Sequence, residues 1–218
     1  MEFEKNYFRD RNYENKEKLV KRNVVEVIKW ASKISGADFS LGKGKRALDV
    51  GCAYGHASAI LAGWGYETYG LDLSKWGVTR AKTRSEGNCL VCDAQTRLPF
   101  KADCFDLITC FDVLEHLSFP DKAIRNMLES CRGSLICTTP NRRVEKPVRR
   151  VTRDYDETHV SVKSPSEWRN VVKAIGSYRL VKVETFYDVV AKLANSSVLF
   201  KSFKVPTLGL TVRMLVTK

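Results

Sequence analysis

Apolar residues along this 218-residue chain recur with two different periods, and the period changes mark its elements. From about Glu14 to Ile34, residues Val20, Val24, Val27, Ile28 and Ala31 repeat at helical spacing and the run stops at Ser35-Gly36. From residue 45 short apolar runs take over. KRALDV (45–50) reads as a strand, and Gly51 to Gly55 turn into a helix, ASAILAGW, that stops at Gly63 and Gly65. The strand YETYGLDL ends at Asp72-Leu73, Ser74 is placed to cap a helix reaching about Arg84, and NCLVC ends at Asp93. CFDLITC (104–110), a helix from Asp121 to Ser130, and GSLICTT (133–139) follow, both strands apolar on both faces as in the centre of a parallel sheet.

Residues 140–163 read as a basic loop, and Ser164-Pro165-Ser166-Glu167 opens a helix to about Ile175 with Pro at its first position and a capping box. YRLVKVETFYDVV and TLGLTVRMLVTK close the chain as an antiparallel pair. Strands alternating with helices predict an α/β, doubly wound, Rossmann-like seven-stranded sheet with an antiparallel last strand and helices on both faces. A single domain is expected, with residues 1–44 as a helical extension or lid, 45–140 as the cofactor core and 141–218 as the acceptor side.

Charge refines this picture through its distribution. The net charge is +12, yet residues 47–138 carry 9 basic and 11 acidic side chains, against 12 and 7 in residues 1–46 and 11 and 5 in residues 139–182. Basic flanks around a neutral core favour an anionic acceptor or RNA, with a solvated surface as the plain alternative. Arg142, Arg143, Arg149, Arg150 and Arg153 form the densest basic group. No apolar run approaches the roughly 20 residues of a membrane span and no secretory leader is evident, so a cytoplasmic protein is expected. Seven cysteines, mostly in apolar strands, read as reduced buried thiols; the Cys89/Cys92 spacing has no second pair to complete a zinc site.

Gly51 lets the backbone turn where the first strand stops, and Gly55 lets the next helix approach a ligand. Asp72 follows Gly51 by 21 residues and Asp93 follows Asp72 by another 21. A carboxylate at Asp72 can grip two ribose hydroxyls, and Asp93 with the Ala94 N–H can read an adenine edge. Ala53 stands where a dinucleotide fingerprint requires Gly, which weakens a pyrophosphate site.

The runs ALDVGCAYGHASAILAGWGYETYGLDLS, CDAQTRLPF, FDLITCFDVLEHL and TTPN resemble class I S-adenosylmethionine (SAM)-dependent methyltransferases, particularly the group that includes the ubiquinone-pathway O-methyltransferases. The resemblance covers roughly residues 46–175. It implies that SAM is the cofactor, released as S-adenosylhomocysteine, with Asp49, Gly51, Cys52 and Gly55 around its methionine end. It further implies ribose contacts at Asp72 and Leu73, adenine contacts at Asp93 and Ala94, and ligand contacts at Cys110 and Phe111.

The acceptor is less defined. Asp112, Glu115 and His116 form a D-x-x-E-H cluster, and His159 lies in DETHV. Three readings stay open: His116 or His159 as general base or orienting group, with Asp112 beside them; Asp112, Glu115, His116 and His159 as ligands of a divalent metal; or a structural turn, with Glu115 capping it and His116 satisfied by a carbonyl. Relatives with an E-x-x-E-H cluster hold a metal, and here the first Glu is Asp112. An Asp/Asn-Pro-Pro-aromatic signature is missing after the fourth strand, which disfavours base N-methylation. The expected activity is O-directed methyl transfer to a small or lipid-like, anionic acceptor. RNA ribose methylation and a non-catalytic SAM-binding module are the alternatives. Tyr7, Phe8 and Tyr13 are candidates for a lid.

Overall fold

A computed structural model describes residues 3–84, 88–152, 156–192 and 198–218. After a short helix α1 (Lys5–Asp10) and a 3₁₀ turn at Tyr13–Lys16, the predicted N-terminal helix is α2 (Glu17–Ser35), ended by Gly36 in the left-handed conformation. Then follow β1 (Arg46–Val50), α3 (His56–Gly63), β2 (Glu67–Asp72), α4 (Lys75–Lys82), β3 (Cys89–Val91), β4 (Phe105–Phe111), α5 (Pro120–Ser130) and β5 (Cys131–Pro140). The C-terminal part comprises α6 (Arg142–Thr152), α7 (Pro165–Ile175), β6 (Leu180–Lys192), β7 (Val198–Lys204) and β8 (Thr211–Thr217).

The strands form one sheet in the order β3-β2-β1-β4-β5-β8-β6-β7, with β1 to β5 parallel and β8 antiparallel to both β5 and β6. The sheet has eight strands, not the seven expected: β7 adds a hairpin edge to β6, and VLFKSFK lacks the clean alternation that would mark it in sequence. The antiparallel β6–β8 pair is present as predicted.

Alternation across the sheet explains the two apolar layers. Ala47, Leu107, Ile136 and Leu215 point to one face and pack on α2 and α3, while Leu48, Ile108, Leu135 and Met214 point to the other and pack on α5 and α7. Ser74 caps α4 by accepting from the Gly77 N–H at 2.9 Å, and Ser164 and Glu167 form the predicted reciprocal capping box of α7. All seven cysteines are free, five of them buried and Cys92 and Cys104 half-buried.

One element corrects the sequence reading. The expected basic loop 141–153 is instead helical over Arg142–Thr152 despite Pro147. Asn141 starts it, its side chain accepting from the Arg143 N–H at 3.2 Å and its carbonyl from the Val144 and Glu145 N–H groups. Among the described residues, no helix is long and apolar enough to cross a membrane.

Candidate functional site

The C-terminal ends of β1 to β4 open into a cavity of about 710 Å³, roofed by the N-terminal segment. Its floor begins at the glycine turn. Gly51 has φ +73°, and a Cβ there would lie 2.1 Å from Cγ2 of Val113. Gly51→Ala therefore meets both strain and a collision, and should lower stability by about 1–3 kcal/mol, measurable by thermal unfolding. Gly55, with φ +77°, sits against the backbone of Ala81 and does not line the cavity; it lets α3 approach α4.

Three carboxylates are held around this turn. Asp72 closes β2, its Oδ2 accepting from the Ala53 N–H at 2.8 Å and its Oδ1 from the Ser74 N–H at 2.8 Å. It thereby ties the turn to the next strand while still facing the cavity. Burial raises its pKa, opposed by these backbone donors. Asp49 is buried and accepts from the Ser58 N–H (3.0 Å), Ser58 Oγ (2.7 Å) and Thr109 Oγ1 (3.0 Å), an anchor for the first turn of α3. Desolvation pushes it up to about 6. Asp93 accepts from the Gln95 N–H at 2.9 Å, beside buried Ala94.

Asp49, Gly51, Cys52, Asp72, Leu73, Asp93, Ala94 and Phe111 line the cavity. Cys110 does not. It is fully buried in the layer facing α5, because adjacent residues of β4 point to opposite faces and Phe111 takes the open end.

Beyond β4 the wall changes character. Asp112 adopts φ +54°, and its Oδ1 accepts from Thr138 Oγ1 at 3.0 Å. Leu114–His116 form a 3₁₀ turn in which Glu115 is buried, its Oε2 without a hydrogen-bond partner of good geometry among the described residues. Burial drives the Glu115 carboxyl well above the usual carboxylate range, with Asp112 adding to the effect. His116 Nδ1 lies 2.7 Å from Thr158 Oγ1 and 3.3 Å from the Thr158 carbonyl oxygen. The Thr158 hydroxyl itself donates to Asp156. Both oxygens therefore accept from His116, which places its proton on Nδ1 and leaves the Nε2 lone pair free. Burial holds this imidazole down at about 4.

His159 stands 4.7 Å from His116, centroid to centroid, with Nδ1 2.6 Å from Glu145 Oε1 and Nε2 3.3 Å from Asp156 Oδ2. One ligand atom from each of Glu115, His116 and His159 lies within 4.8 Å of the others. The carbonyl expected to satisfy His116 is thus present, and so is the grouping that a metal or base reading requires.

The N-terminal aromatics Tyr7, Phe8 and Tyr13 all line the cavity, joined by Phe3, which meets the His116 ring at 5.5 Å. Arg11 pairs with Asp156 at 2.8 Å and closes α1 onto the 156–161 segment. The sequence did not single out Phe3, Arg11, Lys16, Asn23, His56, Glu145 or Asp156, all of which line the cavity. The basic charge of α6 lies elsewhere: Arg142, Arg143 and Arg150 are exposed, Arg142 paired with Glu167 at 2.7 Å, while Glu145 and Val148 face inward. Arg153 and the Arg149 side chain lie outside the described residues.

A family model described as a methyltransferase domain matches residues 20–181. The ubiquinone biosynthesis O-methyltransferase of Coxiella burnetii is 37% identical over 106 residues, covering 46% of this chain and 45% of that protein. The namesake from Glaesserella parasuis is 33% identical over 114 residues, with 45% and 47% covered. The chain thus spans under half the length of the curated relatives it matches. Among solved structures, a SAM-dependent methyltransferase of Archaeoglobus fulgidus superposes with a TM-score of 0.69 at 17% identity, covering 93% of this chain and 94% of its own. One from Thermotoga maritima, described as a possible histamine N-methyltransferase, gives 0.68 at 19% identity with 97% of both chains covered. Magnesium protoporphyrin IX methyltransferase of Synechocystis, with S-adenosylhomocysteine bound, gives 0.62 at 17% identity, covering 91% and 83%. The match over most of the chain, on a sheet whose parallel strands end at a glycine turn and spaced carboxylates, places this protein in the methyltransferase-domain family as a class I SAM-dependent methyltransferase.

Proposed function

We propose that the protein methylates a hydroxyl oxygen of a small or lipid-like acceptor, with a divalent cation held by Glu115, His116 and His159. The convergence of these three side chains within 4.8 Å, just past β4, carries the reading.

Several observations favour SAM in the adjoining cleft. Gly51 lets the turn close against Val113 with no side chain between them, and along the sheet order Asp93, Asp72 and the glycine turn occupy three successive strand ends, suited to adenine, ribose and amino-acid portions. Among the described residues, seven acidic side chains line the cavity (Asp49, Asp72, Asp93, Asp112, Glu115, Glu145, Asp156) against Arg11 and Lys16. Such a wall favours cationic ligands and opposes an anionic group at the reacting centre. A negatively charged acceptor would reach only the rim, where Arg142, Arg143 and Arg150 are exposed.

Bound SAM supplies an electrophilic methyl group on a positively charged sulfur. The chain's task is then to align a hydroxyl with that methyl and exclude water, which can contribute about 7–11 kcal/mol. Phe3, Tyr7 and Phe8 roof the cleft and supply the exclusion. A cation, when bound, would lower the pKa of a coordinated hydroxyl. The donor set fits one: among the described residues Glu115 Oε2 is buried with only the Thr139 hydroxyl beside it, His116 offers Nε2, and Glu145 and Thr158 hold the two rings through Nδ1, as hydrogen-bonded neighbours commonly orient metal-bound imidazoles. Asp112, its carboxylate steadied by Thr138, is positioned to take the hydroxyl proton.

The test is transfer of labelled methyl from SAM to phenolic, catecholic and lipid extracts, with and without a chelator and with and without ribonuclease. Ribonuclease-resistant labelling lost on chelation and restored by a divalent cation is expected. Labelling of RNA alone, or indifference to chelation, would reject the acceptor class or the cation respectively.

A further inference from the structure

His56 opens α3 directly after the glycine turn. Its imidazole is 2% exposed and lines the cavity, yet neither Nδ1 nor Nε2 has a hydrogen-bond partner among the described residues. On α2, which packs against α3, the Oδ1 of Asn23 is shielded from solvent and equally without a partner, and Asn23 lines the same cavity. Unsatisfied buried polar atoms are destabilising unless something completes them, so two on neighbouring elements mark a wall shaped for a ligand.

The chemistry of that ligand follows from the surroundings. Burial, with Arg84 beside it, pushes His56 down to about 4, so at neutral pH it is uncharged and presents one N–H donor and one lone pair. Tyr13 stacks on it at 6.1 Å with 14° between the planes, fixing the ring, and Lys16, at the end of the same 3₁₀ turn, brings a positive charge to the cavity. Along the sheet the cleft runs from Asp93 through Asp72 to the turn that ends at His56.

We propose that His56 and Asn23 form the subsite for the α-amino-acid end of the cofactor, His56 donating to the α-carboxylate and Asn23 Oδ1 accepting from the α-ammonium. This rests on Asp72 and Asp93 binding the ribose and adenine, which directs the remaining portion of the molecule toward α3.

Calorimetry on the full chain with S-adenosylhomocysteine and 5′-deoxy-5′-methylthioadenosine tests it, because the second ligand keeps the nucleoside and thioether but lacks the amino-acid end. Wild type should prefer S-adenosylhomocysteine. His56→Leu and Asn23→Leu should each weaken that ligand by about tenfold or more and leave methylthioadenosine within about twofold. Thermal unfolding of ligand-free His56→Leu should show a midpoint no lower than wild type, since no protein partner is lost. Equal affinity of wild type for the two ligands, a parallel loss of both in the variants, or unchanged S-adenosylhomocysteine binding would overturn the proposal. If His56→Leu does not fold, Asn23→Leu alone decides it. Failure of the underlying placement reads differently: Asp72→Ala would then spare methylthioadenosine.

Discussion

Replacing Asp72 by alanine is expected to weaken S-adenosylhomocysteine binding by roughly 100-fold or more, the loss of two charge-assisted hydrogen bonds to a ribose diol. The effect has a second source within the protein. The same carboxylate receives the Ala53 and Ser74 N–H groups at 2.8 Å each, so its removal also frees the glycine turn from β2. Asp72→Asn separates the two contributions. The amide keeps the volume and one acceptor but turns a donor toward one of those N–H groups, so it should lose affinity nearly as far while thermal unfolding stays closer to wild type. Isothermal titration checks both, and an alanine variant that binds within about threefold of wild type would remove Asp72 from the cofactor site.

The second large effect concerns the opposite end of the cavity. His159→Ala and Glu115→Gln are expected to lower the rate of methyl transfer by about 10²- to 10⁴-fold while leaving S-adenosylhomocysteine affinity nearly unchanged, because in the proposed function these side chains serve the acceptor and not the cofactor. Glu145→Gln should fall in between, about 10- to 100-fold, as expected for a group that braces a ligand. Titration with manganese should show the same order of loss in cation affinity. Loss of S-adenosylhomocysteine binding in step with activity would instead mean that the 115–116 turn merely supports the cofactor cleft.

The parts of the site legible in sequence are those whose geometry is local. Gly51 and Gly55 announce a turn because no other residue adopts their backbone angles as readily, and Asp72 and Asp93 announce themselves by ending short apolar runs. Cys110 and Phe111 are adjacent and equally placed in sequence to meet the ligand; only the direction of the pleat separates them, sending the thiol into the core. The basic stretch after β5 reads as a loop because Pro147 removes a helical hydrogen bond. In the structure Asn141 starts a helix there, and its inward Val148 and Glu145 cover the cavity.

The sequence by itself determined the parallel core, the cofactor class and the D-x-x-E-H cluster, since strand periodicity, turn chemistry and capping act over a few residues. The tertiary structure decided what completes the site. His159 meets His116, Glu145 meets His159, Arg11 meets Asp156, and His56 and the Asn23 Oδ1 are left facing the cavity without hydrogen-bond partners among the described residues. Each of these depends on chain segments brought together by burial of the sheet's two faces, and a packing driven by apolar area carries no sequence signal for which polar side chains it will oppose.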